Sequence, residues 1–111
     1  MELTLSHEQG YVLAETRGPI DDSAGELFRE HLHPLVGQRG TRLIVDLSDS
    51  ERINSIGIGL LVKLVTDANT HGSRVVLAAA APFVSSVFGV TRLNRFFDLA
   101  ETRAAALAAL D

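Results

Sequence analysis

Hydrophobic and polar positions alternate from the second residue onward. Leu3 and Leu5 point one way while Thr4 and Ser6 point the other, which is the period of a strand. His7-Glu8-Gln9-Gly10 reads as a turn and Tyr11 to Thr16 as a second strand, so the first two elements are predicted to form a hairpin. Gly18 and Pro19 break the pattern, and Asp22 or Ser23 can cap the helix that follows. Leu27, Phe28, His31, Leu32 and Leu35 keep an approximate apolar face on that helix, and Pro34 is expected to end or kink it.

RLIVDLS, residues 42–48, carries a nearly continuous apolar run, the pattern of a strand covered on both faces. After it, Ile58, Leu61, Val62, Val65 and Ala68 repeat at helical spacing, with Lys63, Asp67 and Thr70 on the other side and Gly72 as C-terminal cap. RVVLAAA reads as another buried strand. Pro82 suits the first turn of a short helix, 82–88, that stops near Gly89. RFFDLA reads as one more short strand, and the alanine-rich 101–110 as a last helix. Strands and helices thus alternate after the hairpin, which points to an α/β domain with helices packed on a central sheet. Ligands and partners of such folds meet the loops at the carboxyl ends of strands, and residues 48–56 form one such loop.

At 111 residues and 46% hydrophobic content the chain fits one domain with a real core. With no cysteine, disulfides, thiolate nucleophiles and cysteine metal sites are excluded together. The net charge is −4, and the only lysine is Lys63. The arginines, at 17, 29, 39, 42, 52, 74, 92, 95 and 103, form no basic stripe, so no nucleic-acid partner is expected. MELTLSHEQG carries acids and no long apolar core, and no run approaches a membrane span, so a cytoplasmic protein without membrane insertion is expected.

The chemistry-bearing residues gather before and within RINSIGIGLLVKL, residues 52–64. Ser55 has two readings: a helix N-cap, a task that Asn54 can also perform, or a phosphorylation site whose added charge faces the unpaired amides of the helix start. Gly57 and Gly59 serve either close packing inside the fold or the close approach of a partner's backbone. They do not make a dinucleotide fingerprint, because position 62 is valine, and no Gly-Lys-Ser/Thr loop is present. Asp46, Asp49 and Glu51, with Asp21 and Asp22, read as a solvated acidic rim at strand ends. His31 and His33 diverge on a helix, so no metal site is expected, and His7 and His71 have no company. No catalytic triad can be drawn, and neither an enzyme nor a cofactor is expected. Phe83, Val84, Val87 and Phe88 read as core, as does one of Phe96 and Phe97; a strand would turn only one of that pair inward.

LIVDLSDSERINSIGIGLLVKL resembles the central signature of STAS domains, the fold of bacterial anti-sigma factor antagonists and of sulfate-transporter tails. In that family a strand ending in Asp-Leu leads through a loop to Asp-Ser-Ser-Gly-Leu-Gly at a helix start. Asp46-Leu47 match the strand end, and Asn54, Ser55, Ile56, Gly57, Ile58 and Gly59 fill the six motif positions. Asn54 replaces the usual Asp and Ile56 the second Ser. Gly18-Pro19-Ile20-Asp21 is similar to the family's Gly-x-Leu-Asp, and PFVSSVFGVTRLNRFFDLAET to its third helix and last strand. The resemblance implies one STAS-like domain over residues 1–111, with a mixed central sheet of about five strands against about four helices. It implies that Ser55 is the phosphorylated residue and that Asp21 and residues 54–59 meet the partner. That partner is an anti-sigma factor that is also a serine kinase, opposed by a serine phosphatase, and the chain itself is a monomer or weak dimer. The alternative is a constitutive accessory subunit, for instance of a transporter complex, to which Asn54 and Ile56 would belong.

Overall fold

The computed structural model describes residues 1–110; Asp111, the last residue of the expected domain, lies outside them. Strands β1 (Glu2–Glu8), β2 (Tyr11–Arg17), β3 (Arg42–Asp49), β4 (Arg74–Ala78) and β5 (Asp98–Ala100) lie side by side in chain order. β1 runs antiparallel to β2 and every other pair is parallel, so the sheet is mixed. The hairpin turn is tighter than the sequence suggests. Glu8 pairs with Tyr11, leaving only Gln9 and Gly10 to turn, with Gly10 at φ 86° where a side chain would be strained.

Alternation along the strands splits the apolar residues between two faces. Ala14, Leu43, Val45, Leu47, Val75 and Leu77 join the larger core, covered by the helices that follow β2, β3 and β4. Leu13, Ile44, Val76 and Ala78 face the other way and are covered by α5 (Arg103–Leu110) through Ala106 and Leu110. This two-sided burial is why β3 reads as an unbroken apolar run.

The helix after β2 departs from expectation in two ways. Asp21, not Asp22 or Ser23, caps it, accepting from the Ser23 N–H at 2.9 Å at the head of a 3₁₀ turn, Asp22–Ala24. His31 is exposed; the buried stripe is Ala24, Phe28, Leu32 and Val36. At Pro34 the helix is distorted, as expected of a proline, rather than ended there. Between α1 (Gly25–Leu27) and α2 (His33–Val36) the chain widens into a π-turn, Phe28–Leu32. That winding relieves the clash a proline ring makes with the carbonyl one turn back. His33 Nδ1 lies 2.5 Å from Asp67 Oδ2, tying α2 to α3 (Ser55–Thr70).

α4 (Pro82–Val90) continues through Gly89. RFFDLA is not one strand: Leu93–Arg95 form a 3₁₀ turn and β5 begins only at Asp98. Phe97 is buried edge-on against Phe88, with ring centroids 5.1 Å apart, while Phe96 is exposed. Phe83 is also exposed, since Val84 and Phe88 take the inward stripe of α4. No helix among the described residues is long and apolar enough to cross a membrane.

Candidate functional site

β3 delivers the chain to a loop, residues 50–54, that ends at the first turn of α3. The loop after β2 is stitched to it. Gly18 N–H donates to Asp49 O at 3.0 Å, Ile20 N–H to Arg52 O at 2.9 Å, and Asn54 N–H to Ile20 O at 3.4 Å. A single parallel bridge pairs Ile20 with Ile53. Two segments more than thirty residues apart thereby form one surface at the carboxyl ends of β2 and β3.

Asn54, rather than Ser55, caps the helix start. Its backbone is extended, at φ −115° and ψ −176°, and its Oδ1 accepts from the Gly57 N–H at 2.9 Å. It is therefore the N-cap. Ser55 is the first helical residue, exposed, and its hydroxyl makes no hydrogen bond among the described residues. The amides of Ser55 and Ile56 also have no acceptor there. A free hydroxyl thus stands at the positive end of a sixteen-residue helix.

The other expected residues divide. Ile56 is 51% exposed beside Ser55, and Gly59 is exposed one turn further on. Gly57 is buried, and Ile58 is partly buried against the larger core. A Cβ on Gly57 would fall 1.9 Å from the Ile20 carbonyl oxygen, whereas one on Gly59 would meet nothing within 4 Å. Asp21 is half-buried; hydrogen bonds from the Ser23 hydroxyl and then its amide hold the carboxyl below the usual range.

The acidic rim is not uniform. Asp49, Glu51 and Asp22 are exposed, but Asp46 is buried. Its carboxylate accepts from Ser48 N–H at 2.8 Å and from the Arg103 guanidinium, which also reaches Glu15. Burial pushes the Asp46 carboxyl up, but the Arg103 hydrogen bond and those from Ser48 together outweigh it, so the group sits below its ordinary value. No cluster of His, Asp or Glu suited to a metal ion occurs among the described residues.

Sequence reasoning missed Arg52 and Phe83. Arg52 lines three adjoining open depressions of about 510, 270 and 190 Å³, and its side chain has no partner among the described residues. Phe83, 50% exposed, lines the two larger ones, and Asp21 and Asn54 line the second. For Phe83 a signal existed, because it falls off the Val84–Phe88 stripe. Nothing in the sequence marks Arg52.

The profile of the STAS domain family matches residues 2–106. The chain is 26% identical over 109 residues to BtrV of Bordetella bronchiseptica, named as a candidate anti-sigma factor antagonist, with 98% of this chain and 94% of that protein covered. Its fold is similar to that of a candidate anti-sigma factor antagonist from Thermotoga maritima, with TM-score 0.88 and 18% identity over 97% of this chain and 93% of that one. It is similar as well to the Bacillus cell fate determinant SpoIIAA in its phosphorylated form, with TM-score 0.75 and 18% identity over 99% of this chain and 100% of that one.

Proposed function

We propose that this chain, which belongs to the STAS domain family, acts in the cytoplasm as an anti-sigma factor antagonist: a non-enzymatic switch that binds an anti-sigma factor and is turned off by phosphorylation of Ser55. The observation that carries the reading is the division of labour at the helix start. Asn54 does the capping, so Ser55 is released from any structural task and offers its hydroxyl to solvent. The name of BtrV and the phosphorylated form of SpoIIAA support the same reading.

In the unmodified state the partner docks on the exposed residues around Ser55: Ile56, Gly59 and Asn54, with Arg52 and Phe83 beside them. The partner is an anti-sigma factor that also carries serine kinase activity. The kinase moves the γ-phosphoryl group of its ATP to the Ser55 oxygen, releasing ADP and the hydroxyl proton, which adds about 1.5 to 2 negative charges. The fold tolerates this charge, since it lies at a helix N-terminus with free amides. The docked partner does not, because charge and bulk appear inside the contact. A serine phosphatase restores binding.

A pull-down with wild type, Ser55→Ala and Ser55→Asp, read by mass spectrometry with phosphosite mapping, tests this. Because Ser55 is not the cap, both variants are expected to keep wild-type stability within about 0.5 kcal/mol. Wild type and Ser55→Ala capture the same kinase-type ATPase, Ser55→Asp captures at least tenfold less, and phosphate maps to Ser55 on wild type alone. Equal capture by all three with Ser55 unmodified would instead make the chain a constitutive accessory subunit.

A further inference from the structure

Asp46 sits at a crossing that no part of the switch uses directly. The residue is buried, 4% exposed, in the strand that leads to the site. Oδ1 takes the Ser48 N–H near the end of β3; Oδ2 takes Nε of Arg103 from α5, on the face of the sheet away from α3. The Arg103 Nη2 continues to Glu15 on β2. The Asp46 carbonyl accepts from Thr16 Oγ1 at 3.2 Å, and Thr16 Oγ1 meets Ser50 Oγ at 2.6 Å. Thr16 and Ser50 are both buried. Past Ser50 the loop is clamped by Ile20 N–H on Arg52 O, and the Ile20 carbonyl is the wall against which Gly57 packs. An unbroken series of contacts leads from α5 through Asp46 to the first turn of α3.

We propose that Arg103 is a positioning residue for the phosphoacceptor: by holding Asp46 it fixes the end of β3 and the 50–54 loop, and hence the orientation in which the α3 start presents Ser55. The physical reason is the cost of an unpaired buried carboxylate. Without the guanidinium, Asp46 either turns toward water or takes up a proton, and each outcome weakens its hold on the Ser48 amide. α5 itself buries Ala106 and Leu110, and the Arg103 contacts add to that apolar attachment. The importance of this coupling for regulation rests on the switch reading of Ser55. The coupling itself does not, and it is measured without any partner.

Amide hydrogen exchange and ¹⁵N–¹H shifts of the full chain are compared for wild type, Arg103→Met, Arg103→Lys and Glu15→Gln. Arg103→Met is expected to raise exchange about tenfold or more at Ser48, Ser50 and Ile20, the factor that loss of one charge-assisted hydrogen bond gives, and to shift the Gly57 amide that Asn54 holds. Arg103→Lys restores part of this, because one ammonium can still reach Asp46. Glu15→Gln loosens α5 but leaves the four loop and helix-start amides as in wild type. The proposal is overturned if Arg103→Met changes only the α5 and Ser48 amides, or if Glu15→Gln disturbs Ser50, Ile20 and Gly57 as strongly as Arg103→Met does. Should the pull-down show no switch, this result still stands or falls on its own.

Discussion

Gly57 and Gly59 lie two residues apart on α3, yet a methyl group has opposite consequences at the two positions. At Gly57 it would overlap the Ile20 carbonyl, which is backbone and already paired into the loop. Gly57→Ala is expected to destabilise by about 3 kcal/mol or more, the upper end for overpacking, read as a drop in urea midpoint. At Gly59 the space is open, and exchanging an exposed helical glycine for alanine should stabilise by about 0.5–1 kcal/mol. A glycine kept at such a position weakens the helix with no return inside the fold. Under the proposed switch its use lies in letting a partner approach. Gly59→Ala should therefore raise the melting temperature while lowering capture of the partner in the pull-down. If it raises stability and leaves capture unchanged, Gly59 lies outside the docking surface. The sequence shows two glycines and cannot tell these roles apart, since the difference is made by Ile20, more than thirty residues upstream.

The helix start and the strand ends show what a single element reveals about itself. Asn54 and Ser55 are both good caps by residue type, and the choice between them depends on which residue holds the extended backbone; that residue is Asn54, next to the bridge between Ile20 and Ile53. Asn54→Ala should consequently cost about 1 kcal/mol in a chemical unfolding curve while Ser55→Ala costs little. Equal losses at the two positions would mean that Ser55 shares the cap. β3 was legible because burial on both faces writes itself as an apolar run, and α3 because its face repeats at helical spacing. RFFDLA was not, because two adjacent phenylalanines suit a strand locally, while Phe97 is claimed by Phe88 and a 3₁₀ turn delivers it there. Pro34 announced a distortion but not its form: the π-turn before it leaves no mark on the apolar pattern.

At the scale of the whole molecule, α5 closes the second face of the sheet through a pairing of Asp46 with Arg103 across 57 residues of chain. No sequence pattern links two such distant charges, which is why Asp46 read as one of several solvated acids. The pairing makes stability depend on pH in a definite direction. The folded state holds the Asp46 carboxyl below its ordinary value, so the unfolded chain binds that proton more readily than the folded one. The stability Asp46 contributes is fully present above the unfolded carboxylate value of about 4 and is lost as pH falls through the lower folded value. Asp46→Asn removes the titrating group but leaves the backbone contacts of residue 46 and the Arg103–Glu15 pair. Measured by urea unfolding, the stability gap between wild type and Asp46→Asn should be constant from about pH 7 down to pH 5 and narrow steadily below about pH 4. A gap that stays the same at low pH would mean that packing of the side chain, rather than its charge, is what Arg103 answers to, and that α5 is held by Ala106 and Leu110 after all.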